Sequence, residues 1–102
     1  MKSICRYREI YGTETLPSIY DNVSTSAPEY KEKIIHYLKS FKPTALSPKV
    51  ITDLFSGDKL NIPFYCSNDG VYNWRSDMIY YFEKYNLKLD DSFVNYVLEK
   101  VA

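Results

Sequence analysis

The chain has 102 residues, 45% of them hydrophobic and 25% charged, a size and balance that suit one globular domain with its own core and exclude an intrinsically disordered chain. Thirteen Lys/Arg against thirteen Asp/Glu leave a formal net charge of zero, so bulk electrostatic attraction to nucleic acid or to a membrane surface is not expected. No apolar run approaches the ~18 residues of a membrane span, and Lys2 and Arg6 break the start before a signal-peptide core could form, which predicts a cytoplasmic protein.

Ile4, Tyr7, Ile10 and Tyr11 are spaced for a brief helix or strand that stops at Gly12. Pro17, Asp21, Asn22 and the hydroxyl residues between Thr13 and Ser26 are loop chemistry, with one turn expected near Ile19 and Tyr20. Ser26-Ala27-Pro28-Glu29 has the order of a helix start, and Tyr30, Ile34, Tyr37, Leu38 and Phe41 recur at helical spacing. A helix over residues 27–41 is predicted, ended by Lys42-Pro43. The segment 49–55 fits a strand and, with Ser47-Pro48 as a start and Gly57 as a stop, also fits a helix; the strand is slightly preferred. Asp69-Gly70 between aliphatic and aromatic runs predicts a hairpin in a small antiparallel sheet. Ser76-Asp77 is expected to cap a helix carrying Met78, Ile79, Phe82 and Tyr85, closed by Asn86. A last helix starts at Asp90 or Asp91 with Phe93, Val94, Val97, Leu98 and Val101 on one face. The expected fold is α+β in a single domain over residues 1–102: one helix in the N-terminal half, a small antiparallel sheet and hairpin region, and two C-terminal helices packed together.

Chemistry is sparse in this pattern. The one histidine, His36, lies between Ile35 and Tyr37, where a surface or boundary side chain is far commoner than a catalytic base. Cys5 and Cys66 form no CxxC pair and read as free buried thiols. No phosphate loop, HExxH or GxSxG motif is present, so neither an enzyme nor a cofactor is expected. Asp53, Asp58, Asp69 and Asp77 match no EF-hand spacing; turn and cap roles account for the last three. Asp53, among Ile51, Thr52 and Leu54, needs either an exposed strand face or a buried partner.

Residues 1–51 carry eight basic and five acidic side chains, residues 52–102 five and eight, so the second half is the acidic one and suits a basic partner. Eleven tyrosines could serve an interface, although core packing explains most of such a set. Lys31, Lys33, Lys39, Lys42 and Lys49 gather on or after the first predicted helix and open a second reading, a small regulatory or phage-derived module contacting nucleic acid there. A carboxylate-bound metal enzyme is a third.

The run from Asp53 to Asp58, Asp69-Gly70 through Trp74, the paired Tyr80-Tyr81 with Tyr85, and the closing Leu89-Asp90-Asp91-Ser92-Phe93 together resemble the C-terminal parts of small bacterial immunity-type proteins encoded beside secreted or contact-delivered toxins. The resemblance covers residues 53–98 and lies mainly in framework positions. It implies stoichiometric binding and blockade of a cognate toxin, often a nuclease with a basic surface. The contact is expected around the hairpins, on Asp53, Asp58, Asp69, Tyr65 and Tyr72.

Overall fold

The computed structural model describes residues 1–101. The chain is α+β, with a mixed four-stranded sheet, a separate two-stranded ribbon and the three longer helices packed on one face of the larger sheet. The strands are β1 (Lys2–Ser3), β2 (Ala45–Ser47), β3 (Ile51–Thr52), β4 (Lys59–Leu60), β5 (Phe64–Asn68) and β6 (Tyr72–Arg75), and the helices are α1 (Arg8–Tyr11), α2 (Lys31–Lys39), α3 (Ser76–Tyr85) and α4 (Asp91–Val101). The large sheet runs β1-β6-β5-β2 and the ribbon pairs β3 with β4. No helix among the described residues is long and apolar enough to cross a membrane.

The hairpin forms where Asp69-Gly70 places it. Gly70 has φ 92°, which only glycine adopts freely, and one oxygen of Asp69 accepts from the amides of Val71 at 2.9 Å and Tyr72 at 2.8 Å. In β6 the side chains alternate, so Tyr72 and Trp74 face the helices and are buried while Asn73 and Arg75 face away and are half-exposed. Trp74 packs edge-on to Phe41 with ring centroids 5.7 Å apart and lies 5.9 Å from Phe93, so one indole joins the chain after α2 to the last helix.

Two features extend the sequence expectation. β1 pairs parallel to β6, with Lys2 opposite Tyr72 and Ser3 opposite Asn73, which makes the sheet mixed and packs the N-terminal residues firmly. The Cys5 amide donates to the Asp90 carboxylate at 3.2 Å, the Tyr7 hydroxyl donates to the Lys88 carbonyl, and a single 3-10 turn forms at Ile19–Asp21. Both cysteines are free thiols, Cys5 buried and Cys66 half-buried.

α2 is shorter than expected. Ser26 does not cap it: the Ser24 amide donates to the Tyr85 carbonyl at 3.0 Å and Asn86 Nδ2 donates to the Ser24 carbonyl at 2.9 Å, so this stretch is held against the end of α3. The chain then makes a turn, Lys31 N to Pro28 O, before helical bonding begins. In 49–55 the strand is only Ile51–Thr52, and the helical alternative fails because Val50 is 60% exposed and residues 53–56 bend around Asp53. Asn86 does end α3, at φ 55°, whereas Ser76 sits inside the first turn, its hydroxyl accepting from Tyr65 N and donating to the Pro63 carbonyl.

Trp74→Ala should destabilise the protein by about 3–5 kcal/mol, the usual cost of removing a large buried aromatic. Denaturant titration measures it; a loss below about 1 kcal/mol would contradict the central place given to this indole.

Candidate binding surface

Asp53 is fully buried, which removes it from the surface and resolves its sequence ambiguity in favour of a buried partner set. Its Oδ2 accepts from the Tyr80 hydroxyl at 2.6 Å and the Tyr85 hydroxyl at 2.7 Å, and Oδ1 accepts from the amides of Phe55 at 2.8 Å and Ser56 at 3.1 Å. The Lys84 ammonium lies 3.6 Å from Oδ2. Burial alone would raise the pKa of this carboxyl, but the two tyrosine hydroxyls and two amides outweigh it and hold the group well below the ordinary carboxylate range. The hydroxyls respond in kind: burial and the Asp53 contact raise Tyr80, and the Asp53 hydrogen bond followed by burial raises Tyr85.

Tyr72 is buried too, its ring 5.2 Å from Phe93 and 5.1 Å from Tyr96. Asp69 is half-buried, and its second oxygen accepts from the Tyr37 hydroxyl at 2.6 Å. Burial opposes its ionisation, yet the Tyr37 hydroxyl and the hairpin amides lower its pKa. Asp53, Asp69 and Tyr72 therefore hold the fold together, a correction to their expected place at a contact surface. Asp58 is exposed at the turn of the β3–β4 ribbon, and Tyr65 is half-buried on β5. The five residues do not converge on one patch.

Solvent is met instead along an edge. Residues 42–50 are all exposed, and β2 within them is the last strand of its sheet. Tyr65 N donates to Ser76 Oγ at 2.9 Å, on the β6 side, so Cys66 and Phe64 turn their amides and carbonyls toward Ala45 and Ser47 of β2, and by antiparallel alternation the amide and carbonyl of Leu46 point away from the sheet. Leu46, 73% exposed, lies directly opposite Tyr65. Beside Tyr65 a groove of about 260 Å³ is lined by Ile62, Pro63, Ile79 and Tyr80 and rimmed by the Lys39–Glu83 ion pair at 2.8 Å. Leu46 and Ile62 were missed because an apolar residue in a strand pattern reads as core; the prolines at 43 and 48 were the available signal, since proline brackets belong to edge strands.

No family model, curated protein or solved structure matches this chain.

The other two sequence readings meet specific geometry. Among the described residues no three His, Cys, Asp or Glu side chains gather as a metal site. Of the α2-region lysines, Lys31 donates to the Glu83 carbonyl and to Asn86 Oδ1, both at 2.7 Å, and Lys39 pairs with Glu83, which ties two cations of the proposed stripe to α3. His36 is exposed.

Because the folded-state pKa of Asp53 is depressed, its stabilisation is fully present above the ordinary carboxylate pKa of about 3.9 and is lost as pH falls below it toward the lower folded-state value. Asp53→Asn should therefore unfold more easily at pH 7 and show a flatter stability profile between about pH 4 and pH 2 than the parent. Thermal melts across that range check it, and parallel profiles would contradict the role of this carboxylate.

Proposed function

We propose that this chain is an immunity-type protein that neutralises a cognate toxin, such as a nuclease, by stoichiometric binding, and that the β2 edge with the Leu46–Tyr65 surface makes the contact. The observation that carries a protein partner is the placement of Leu46. A leucine 73% exposed on an unpaired edge, continuous with a tyrosine and an apolar groove, combines free backbone groups with apolar pockets, which is how sheet edges receive partner segments. A half-buried tyrosine offers large contact area at small entropic cost.

The toxin class rests on the resemblance of residues 53–98 to immunity-type proteins. The basic character of the partner rests on the acidic second half of the chain, with Asp58 as its exposed turn carboxylate. Such charge mainly speeds association, whereas apolar side chains that seat in a partner slow dissociation.

Co-expression with the product of the neighbouring gene tests the reading. Leu46→Asp, at a solvent-facing position, should leave stability within about 0.5 kcal/mol of the parent. It should raise the dissociation rate from the toxin at least tenfold and abolish protection, while Asp58→Asn lowers the association rate and its salt sensitivity. Unchanged kinetics in Leu46→Asp and Tyr65→Ala would overturn the assigned surface, and failure of the parent to protect against or bind the toxin would overturn the function.

A further inference from the structure

The opposite face of the sheet carries a row of stacked cations and aromatic rings that the partner edge does not use. Arg75 projects outward from β6, its guanidinium carbon 4.8 Å from the centroid of Phe64 and 5.7 Å from that of Tyr11. Lys49 continues the row, its ammonium 5.1 Å from the Phe64 ring, and Arg6 ends it on the other side, 5.8 Å from Tyr11. The order is Lys49, Phe64, Arg75, Tyr11, Arg6: three cations alternating with two rings.

Three further observations bear on what such a row receives. Arg75 is fixed from below, Nη2 donating to Asp77 at 2.8 Å and Nη1 to the Ile10 carbonyl at 3.3 Å, so its plane is held before any ligand arrives. Arg6 and Lys49 are exposed and make no ion pair or side-chain hydrogen bond among the described residues, which leaves their charge for an external anion. The outward positions of the four strands include Asn73, Asn68 and Cys66, and none is acidic. Of the carboxylates near the row, Asp77 is used on Arg75 and Glu9 on the Ser18 hydroxyl and the Ile19 amide, each at 2.7 Å, while Asp90, which accepts from the Cys5 amide, and Asp91 are exposed near Arg6.

We propose that this outward sheet face binds single-stranded nucleic acid. Alternating cations and π-faces, with side-chain amides beside them, match a strand in which phosphates alternate with flat bases. A duplex, broad and rigid, would meet the row only at its phosphates. The net-neutral chain predicts weak, salt-sensitive binding confined to this face. Strand alternation puts Leu46 and Tyr65 on the helix side of the sheet, so the proposal stands independently of the protein-partner reading.

Fluorescence anisotropy of the full chain with a labelled twelve-nucleotide uridine oligomer at low salt tests it. Binding on the order of micromolar is expected. The double variant Arg6→Ala/Lys49→Ala, whose side chains are exposed, should weaken it at least tenfold and flatten the log K against log salt slope by about 1.4, two single-strand phosphate contacts. Tyr11→Leu should weaken binding without changing that slope by as much, while Lys33→Ala on α2 and Leu46→Asp on the edge should leave it unchanged. No binding by the parent at low salt would overturn the proposal, as would equal losses in Lys33→Ala and the double variant. Competition by polyglutamate as effective as by unlabelled oligomer would also overturn it, marking the face as a site for acidic proteins.

Discussion

A buried carboxylate is the constraint around which the C-terminal half is arranged. An ionised aspartate withdrawn from water costs several kcal/mol unless donors replace its hydration, and Asp53 is given four: two amides of its own turn and two hydroxyls from α3. The same bonds that satisfy the charge dictate the geometry. The amides close the loop between β3 and β4, and the hydroxyls clamp that loop onto α3. Once it is clamped, Phe55 is delivered against Tyr85 at 4.4 Å, Tyr20 at 5.1 Å and Tyr81 at 5.9 Å between ring centroids, so a polar contact sets up an aromatic cluster.

The tyrosine-rich composition finds its main use in the same physics. Tyr37 holds the hairpin through Asp69, Tyr81 donates to the Thr52 carbonyl at 3.1 Å, Tyr20 donates to the Leu54 carbonyl at 3.2 Å, and Tyr7 donates to the Lys88 carbonyl. Each ring fills core or boundary volume while its hydroxyl ties down a loop that would otherwise expose backbone groups. Burial pushes the Tyr81 hydroxyl up to about 12, so it stays a donor throughout the physiological range. Most of the tyrosines singled out by composition are therefore framework, and the side chains left to meet a partner are fewer and less polar: Leu46, Ile62 and Tyr65 on one side, Arg6, Tyr11 and Lys49 on the other.

Where the sequence pattern had a local cause, it led to the right element. The Asp69-Gly70 turn, the stripes of α3 and α4 and the stop at Asn86 all follow from spacing and backbone preference within a few residues. Where the cause was tertiary, the pattern misled. Ser26 and Pro28 have the chemistry of a helix start, but contacts to Tyr85 and Asn86 far along the chain hold that segment open. β1 has no strand signal in two residues and exists because β6 offers it an edge. The expected contact residues divide for the same reason. An aspartate at a turn and a tyrosine in a strand look alike whether buried or exposed, and only the long-range hydroxyl partners of Asp53 and Asp69 decide. The cation–aromatic row was equally hidden, since Arg6, Tyr11, Lys49, Phe64 and Arg75 are scattered over seventy positions of sequence and meet only across the folded sheet.

The account turns on a division between a turn locked inside the molecule and an edge left open at its surface, and amide hydrogen exchange observed by NMR reads both in one experiment. The amides of Phe55 and Ser56, which donate to Asp53, should exchange orders of magnitude more slowly than unstructured amides, and Tyr80→Phe should speed them selectively. The amide of Leu46 should exchange near the unprotected rate. Fast exchange at Phe55 and Ser56 together with protection at Leu46 would contradict it.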